Sequence, residues 1–366
     1  FHLDSMALLE EMASVYGPVS VVGRSFAVLK LQLDGLVVDI SLPRRERATG
    51  DGHRDFHVDV DPDMTFEAAA LRRDFTINAM GYDPLENRLL DPHGGQADLQ
   101  AKILRHVGPQ FSEDPLRVYR ALQLVARFDL CIAEDTVALC QGMTLTSLSK
   151  ERIYGEIYRL FVDSQCPSQG LRYGLDWDCL YLSMLSIDER EQLLGLVDSV
   201  AHATDLEGSE RLVFSLGVVR LFCSEAQSLQ VMDSLGVPVS VQGQVNTFYR
   251  GWTAWTAMYQ MGLEDEVACA LRRLSLTCSL AMLYRFSRCV KQGDCDDALR
   301  HQAISMGVFD VGLKPILLGR DLVALGYVPS PQFKVILEAV LDQQVQGKVT
   351  TREAAIAWIR AQKFHV

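Results

Sequence analysis

The residue pattern of this chain changes near residue 100, and that change limits the folds available to it. Short apolar runs typical of β-strands occur at Val19–Val22, Phe26–Leu31 and Leu36–Leu42. From Asp98 onward, apolar residues recur at helical spacing almost to the end of the chain. The sequence therefore predicts an α+β fold, with a small antiparallel or mixed sheet followed by a long all-helical part.

Composition narrows the classes of function. The chain has 366 residues, 48% of them hydrophobic, which permits two or three domains or one series of packed helical modules. Its net charge of −12 argues against broad electrostatic binding of nucleic acid, but a local groove of clustered arginines stays possible. Nine scattered cysteines and no apolar run of membrane-spanning length favour a cytoplasmic protein that has no membrane partner.

Two clusters that mix arginine and carboxylate carry the strongest chemical signal: RRDFTINAM at Arg72–Met80 and EDPLR at Glu113–Arg117. Adjacent arginines present planar forks of donors that suit phosphate oxygens, and Asp74 beside them can accept a hydrogen bond from a sugar hydroxyl. Asp114 and Arg117 are three residues apart, so on one helix they would share a face and offer a nucleobase one acceptor and one donor. Taken alone, Arg72 and Arg73 are more simply a solvated surface pair, and a helical ion pair is the alternative for Asp114 and Arg117.

The clusters occur with LLDPHGGQADL at Leu89–Leu99 in an order that resembles the bacterial tRNA nucleotidyltransferase and poly(A) polymerase family. The resemblance runs from about Gly17 to Arg159 and returns at Leu318–Trp358. It implies a DNA polymerase β-like nucleotidyltransferase head with a mixed sheet at residues 1–100. A helical neck that selects the base would follow at 101–165, then a helical body at 166–305 and a tail that contacts tRNA at 306–366.

This resemblance also implies an activity: addition of CCA, CC or A to the 3′ end of tRNA without a template, from CTP and/or ATP, with Mg²⁺. Asp39 would be a catalytic, metal-associated carboxylate, although a solvent-facing strand residue is an equally simple interpretation. Asp74 would hold the ribose, Asp114 would accept from the amino group of cytosine or adenine, and Arg117 would donate to the base. The complete implied nucleotide-binding set is Gly23, Arg24, Arg72, Arg73, Asp74, Asn78, Asp114, Arg117 and Arg120.

In the tail, Arg320 and Lys334 are candidate contacts for RNA phosphates, and ordinary surface charge is the alternative. The family also has a GG…RD turn and a DxD carboxylate pair ahead of the Asp39 strand, and neither motif occurs there in this sequence. We expect that the sequence is a fragment or misses its start; an inactive homologue and a partner chain that supplies the strand are the alternatives. As given, the chain is expected not to extend RNA, because one carboxylate cannot fix two metal ions.

Three other functions stay open from the sequence. They are a non-catalytic RNA-binding homologue, a poly(A) polymerase, and a helical interaction protein with a vestigial head.

Four local expectations complete the interpretation. Arg44–Phe66 is polar and predicts a mobile loop over the active site. Phe75–Tyr82 has extended character, and Asp114–Phe128 predicts one periodic helix. Trp252 and Trp255 predict an aromatic cluster, for which core packing is favoured over base stacking.

Overall fold

The computed structural model describes residues 6–22, 28–48, 56–61, 63–146, 148–290 and 295–362. The chain divides into two compact units, Phe1–Glu156 and Ile157–Val366. The first unit contains all nine described β-strands, whereas the described secondary structure of the second is entirely helical. This arrangement confirms the predicted α+β class.

The first unit opens with helix α1 (Met6–Ser14) and an antiparallel sheet of β1 (Val19–Val22), β2 (Val28–Leu33) and β3 (Leu36–Ser41), in that order. Leu29 and Leu31 alternate on the buried face of β2, and Leu29 belongs to the same buried cluster as Leu9 of α1. The strands β2 and β3 are joined by a two-residue Asp34-Gly35 turn, in which both residues have positive φ angles. Such a turn matches the twist of an antiparallel hairpin, and the three predicted strands are confirmed.

Within the loop predicted at 44–66, the described residues include two paired strands. Strands β4 (Arg44–Ala48) and β5 (Phe56–Val60) pair antiparallel, with Arg44 opposite Val60 and Ala48 opposite Phe56. Backbone pairing does not depend on side-chain polarity, so a polar sequence concealed this second sheet. Residues 49–55 lie outside the described part of the chain.

Short elements then form the core of the first unit. They are α2 (Phe66–Ala70), a 3₁₀ turn (Thr76–Asn78), β6 (Gly81–Asp83), β7 (Arg88–Leu90), α3 (Gly95–Gln100) and β8 (Ile103–Leu104). The 3₁₀ turn corrects the extended conformation predicted for Phe75–Tyr82. Thr76 Oγ1 donates to Asp98 at 2.7 Å, which ties this turn to α3. A Cβ at Gly95 would collide with the carbonyl oxygen of Thr76, so glycine is required at this close approach.

A 3₁₀ helix (Pro109–Glu113) leads into α4 (Leu116–Phe128), an amphipathic helix that buries Tyr119 and Leu122. Asp129 ends α4 in the left-handed conformation, with φ of 55°. The remaining elements of the first unit are β9 (Cys131–Ile132), which pairs parallel with β8, then α5 (Glu134–Gln141) and the start of α6 (Lys150–Val162).

The second unit contains the end of α6 and eleven further helices among its described residues. These are α7 (Pro167–Asp176), α8 (Ile187–Ala201), α9 (Gly208–Leu221), α10 (Glu225–Ser234), α11 (Val239–Ala257), α12 (Glu264–Leu274), α13 (Leu280–Val290), α14 (Cys295–Ser305), α15 (Gly319–Ala324), α16 (Gln332–Val345) and α17 (Arg352–Ala361). Ser186 and Ser224 form capping boxes that fix the starts of α8 and α10.

Aromatic side chains form the centre of the second unit. The ring of Phe286 meets Phe214, Phe248 and Trp252 edge-on, at centroid distances of 5.2, 5.0 and 5.0 Å. Trp255 is fully buried, and its indole nitrogen donates to Asp296 at 2.7 Å. The prediction that the tryptophans pack in the core is therefore confirmed.

A separate apolar cluster at the C-terminal side joins α15, α16 and α17 through Leu322, Ile336, Val340 and Ile359. All nine cysteines are free thiols, and burial raises the pKa of Cys140 to about 12. Among the helices that the structure describes, none combines the length and apolar character needed to cross a bilayer.

We expect Phe286→Ala to lower the free energy of unfolding by about 3–5 kcal/mol, because it empties the centre of this aromatic cluster. Urea denaturation followed by circular dichroism measures the change. Phe128→Ala is the matched control: this ring is 51% exposed and contacts Arg127, so its loss should cost less than about 1 kcal/mol. Equal losses for the two variants would contradict a central role for Phe286 in this packing.

Candidate nucleotide-binding site

The site is organised around the carboxylate of Asp74, which follows the arginine pair in the turn after α2. Asp74 is only 7% exposed. Its Oδ1 accepts from the backbone nitrogen of Phe75 at 2.9 Å and from Nδ2 of Asn78 at 3.2 Å. Its Oδ2 accepts from Nε and Nη2 of Arg120 at 2.7 and 2.6 Å. A buried carboxylate requires such partners, because its desolvation is otherwise uncompensated.

Arg120 reaches Asp74 from α4 and continues to a second carboxylate. Its Nη1 lies 3.7 Å from Oε1 of Glu156, which is nearly buried on α6. Burial by itself would lower the pKa of Arg120, but the charge and hydrogen bond of Asp74, followed by the charge of Glu156, raise it. Arg120 therefore links the turn after α2, the helix α4 and the start of α6.

Arg117 connects the two sequence clusters directly. Its Nη2 donates to the carbonyl oxygen of Arg72 at 2.7 Å, and its Nη1 donates to that of Gln110 at 2.8 Å. The guanidinium also lies 5.7 Å from the ring centroid of Phe111. Burial lowers the pKa of Arg117, against the opposing effect of Asp74 and its other acidic neighbours. Arg117 thus places the arginine pair beside the start of α4.

Asp114 lies just before the helix and not on it, which corrects the predicted start of α4. Its φ and ψ angles are −126° and 98°, and the helix begins at Leu116 after Pro115. Oδ1 of Asp114 accepts from the backbone nitrogen of Leu116 at 3.2 Å, and Oδ2 accepts from Nη2 of Arg152 at 2.7 Å. Proline two residues before Arg117 disfavours helical backbone at Asp114, which explains the shift.

The two arginines of the pair have different surroundings. Arg72 is partly buried, and its Nη2 lies 3.6 Å from Oε2 of Glu113. Arg73 is exposed. The structure therefore brings Arg72, Arg73, Asp74 and Asn78 together with Asp114, Arg117 and Arg120 within the first unit. Their contacts with a nucleotide stay predictions.

Asp39, the predicted metal ligand, lies on β3 in a different setting. Its side chain is 63% exposed and faces Lys30 across the hairpin, with Nζ and Oδ1 3.9 Å apart. Nowhere in the described ranges do three or more His, Cys, Asp or Glu side chains group as a metal site would require. Mg²⁺ prefers near-octahedral oxygen coordination, so the described residues do not by themselves fit a metal centre. Gly23 and Arg24 lie outside the described residues.

The predicted RNA contacts Arg320 and Lys334 lie in the second unit, on α15 and α16. Both side chains are exposed. Nζ of Lys334 is 3.8 Å from Oε1 of Glu338, a weak pair one helical turn away. These positions are compatible with phosphate contact and with ordinary surface charge.

Sequence reasoning missed some of the residues that hold the site. Asp98 accepts from Thr76 and from Nε of Arg105, so it fixes the 3₁₀ turn that carries Asn78. Asp98 and Arg105 are seven residues apart, and this spacing is only a weak signal that their side chains contact each other. Arg152 was not missed, since the resemblance implies that the glutamate and arginine of its helix brace the neck. Its pairing with Asp114, 38 residues away, is predicted by no local pattern.

Comparison with known proteins finds similar sequences and similar folds. Residues 6–105 match the family described as the poly A polymerase head domain. The multifunctional CCA protein of Xanthomonas euvesicatoria pv. vesicatoria (strain 85-10) is 43% identical over 174 residues, or 46% of this chain and 42% of that protein. The protein of the same description from Pseudomonas paraeruginosa (strain DSM 24068 / PA7) is 37% identical over 205 residues, 54% of this chain and 48% of that protein.

Solved structures of low sequence identity share the fold over nearly the whole chain. The Thermotoga maritima CCA-adding enzyme complexed with tRNA-CCA has a TM-score of 0.63 at 19% identity, covering 99% of this chain and 85% of that one. The Bacillus stearothermophilus CCA-adding enzyme in complex with CTP has a TM-score of 0.66 at 20% identity, covering 96% and 85%. The chain therefore has the fold of a nucleotidyltransferase head continued by a helical body.

The match of residues 6–105 to the head-domain family and the similarity to CCA proteins confirm the resemblance to the tRNA nucleotidyltransferase family. The chain spans less than half the length of the two curated CCA proteins that it matches.

We expect Arg120→Ala to destabilise the protein strongly, because it leaves the buried carboxylate of Asp74 without its cation. Breaking such a pair costs about 3–5 kcal/mol, and the lower end applies since the Arg120 side chain is 34% exposed. Urea denaturation provides the measurement. Arg172→Ala is the control, because its pair with Glu191 is more than half exposed on both sides and should contribute at most about 1 kcal/mol. A loss as small as the control's would mean that Asp74 is stabilised by other means.

Proposed function

We propose that the intact protein is a template-independent nucleotidyltransferase that adds CCA, CC or A to the 3′ end of tRNA, using CTP and/or ATP. The observation that carries this proposal is the hydrogen bond from Arg117 to the carbonyl oxygen of Arg72. It unites a phosphate-binding arginine pair and a base-reading pair in one site, as selection among nucleoside triphosphates requires. The CCA-adding relatives, and neighbours solved with CTP and tRNA, support the same activity.

In the proposed reaction the terminal 3′-hydroxyl of the RNA attacks the α-phosphorus of the bound triphosphate. A phosphodiester bond forms, the bond to the β-phosphate oxygen breaks, pyrophosphate leaves and the hydroxyl proton passes to solvent. Arg72 and Arg73 contribute to this step by holding the phosphates and offsetting their charge. Arg73 is exposed, whereas Arg72 would exchange or share its contact with Glu113.

Asp74 is proposed to accept a hydrogen bond from a ribose hydroxyl. Asn78 and Arg120 lie beside it and both donate to its carboxylate. The carboxylate already accepts from Phe75, Asn78 and Arg120. A carboxylate has about four acceptor positions, so a ribose hydroxyl would share or replace one of these contacts. The network therefore also fixes the geometry of the turn that carries the arginine pair.

Mg²⁺ is the proposed cofactor, with Asp39 as one of its ligands. Asp39 is the catalytic carboxylate that the resemblance implies, and its exposure on β3 leaves it accessible. Because the described residues do not complete a metal centre, we derive no step of the reaction through the ion. We further propose that the protein acts in the cytoplasm and that the segments 1–100, 101–165, 166–305 and 306–366 serve as head, neck, body and tail.

A poly(A) polymerase and a non-catalytic RNA-binding homologue are the competing functions. A poly(A) polymerase would use ATP alone, so use of CTP as well as ATP would exclude that function. A non-catalytic homologue would bind RNA without discriminating among nucleotides.

We expect the double variant Arg320→Ala/Lys334→Ala to bind tRNA more weakly than the parent while its affinity for CTP is unchanged. Each lost phosphate contact should reduce the slope of log K against log salt concentration by about 0.9. Fluorescence titration of labelled tRNA at several salt concentrations gives this slope. Arg172→Ala controls for the loss of one exposed positive charge in the same unit. An unchanged slope would make both residues ordinary surface charges.

We expect Asp114→Ala to weaken the preference for CTP and ATP over UTP and GTP. Cytosine and adenine each present an amino donor beside a ring-nitrogen acceptor, and loss of one bidentate contact costs about 1–3 kcal/mol of discrimination. Isothermal titration with the four triphosphates measures this, and circular dichroism confirms that the variant is folded. If discrimination persists in the folded variant, the base is selected elsewhere.

A further inference from the structure

Asp114 and Arg117 carry opposite charges three residues apart, yet their side chains do not pair with each other. The backbone nitrogen of Arg117 donates to the carbonyl oxygen of Asp114 at 3.0 Å, so the two residues are adjacent. The Arg117 guanidinium instead donates to two backbone carbonyls. Between these two described residues the structure records no ion pair. A pair that closed on itself would neutralise both groups and present no free edge to a base.

The carboxylate of Asp114 is held from another direction by Arg152. Nη2 of Arg152 donates to Oδ2 at 2.7 Å, while the backbone nitrogen of Leu116 donates to Oδ1. These contacts use two of the roughly four acceptor positions of an ionised carboxylate. The Asp114 side chain is 30% exposed, so the other positions are accessible to a ligand.

We propose that Arg152 is a positioning residue for base selection, which keeps the Asp114 carboxylate turned away from Arg117. The proposal rests on the proposed function, in which Asp114 and Arg117 read the base. Arg152 lies on α6, and one turn further along this helix Glu156 contacts Arg120. Two successive turns of α6 thus orient the base-reading carboxylate and support the buried pair of Asp74 and Arg120.

The consequence for binding follows from the charges. Without Arg152, the carboxylate of Asp114 keeps the cation of Arg117 three residues away, and mutual attraction draws these two side chains together. Cytosine and adenine then lose their acceptor and donor at the same time. The phosphates are held by Arg72 and Arg73, so uracil and guanine nucleotides keep their affinity. The ratio of affinities falls because the preferred nucleotides bind less well.

A simple surface ion pair is the alternative interpretation, since the Arg152 side chain is 41% exposed. Exposed pairs contribute little to stability, and in this interpretation the loss of Arg152 leaves discrimination intact. Discrimination between nucleotides therefore separates the two interpretations, whereas a melting temperature does not.

The first test is isothermal titration of the full chain with CTP, ATP, UTP and GTP. We expect Arg152→Ala to reduce the CTP to UTP affinity ratio about tenfold, the low end of what one base contact supplies. The UTP affinity should stay within about twofold of the parent, since its phosphate contacts are retained. Arg152→Lys should restore most of the ratio, because it keeps a cation beside Asp114. Arg172→Ala is the matched control and should leave all four affinities unchanged.

The second test does not depend on nucleotide binding. A crystal structure of Arg152→Ala should show the Asp114 carboxylate moved into contact with the Arg117 guanidinium. If Arg152→Ala does not fold, Arg152→Gln removes the charge with a smaller change in volume and serves for both tests.

The outcomes separate the two proposals. A parent protein without nucleotide discrimination overturns the proposed function, and this inference with it. A parent that discriminates, with Asp114→Ala losing and Arg152→Ala keeping the ratio, overturns this inference alone. An Asp114 carboxylate that keeps its place in the variant crystal structure also overturns it.

Discussion

The ion pair of Asp74 and Arg120 is the interaction on which the rest of the site depends. It joins residues 46 apart in sequence and buries a carboxylate almost completely. Removing a carboxylate from water costs several kcal/mol, so the carboxylate is stable there only because four hydrogen-bond donors converge on it. The positions of α2, the 3₁₀ turn and α4 follow from that requirement. Arg72 and Arg73 directly precede Asp74, so this pair also fixes where the arginine pair lies.

The second unit also buries a carboxyl group, whose donors are neutral and reach only one of its oxygens; Oδ2 of Asp296 is buried without a hydrogen-bond partner among the described residues. Asp296 is 2% exposed and its Oδ1 accepts from the indole of Trp255 and the hydroxyl of Tyr259. Burial, followed by the hydrogen bond to Asp296, raises the pKa of Tyr259. In the first unit the buried carboxylate of Asp74 is paired with the guanidinium of Arg120, where ligands are proposed to bind. In the second, two aromatic side chains donate to one oxygen of the buried Asp296 carboxyl.

The net charge of −12 is compatible with a nucleotide site because the site arginines are locally concentrated and individually compensated. Arg72 contacts Glu113, Arg120 contacts Asp74 and Glu156, and Arg152 contacts Asp114. A triphosphate would therefore compete with carboxylates that are already present. Such competition favours ligands that satisfy phosphate and base contacts together over polyanions that offer phosphate alone.

The sequence by itself determined the α+β class, the three strands of the first sheet, a mainly helical course after residue 98, in which only the short pair β8 and β9 was missed among the described residues, and the two clusters that form the candidate site. These features are local, since alternation, helical spacing and adjacent arginines are visible within a few residues. Tertiary structure alone decided that Arg44–Ala48 and Phe56–Val60 form paired strands, and that Arg152 and Arg120 are the partners of Asp114 and Asp74. Strand pairing and ion pairing join groups distant in sequence, and their partners are set by burial and chain geometry, which no local pattern records.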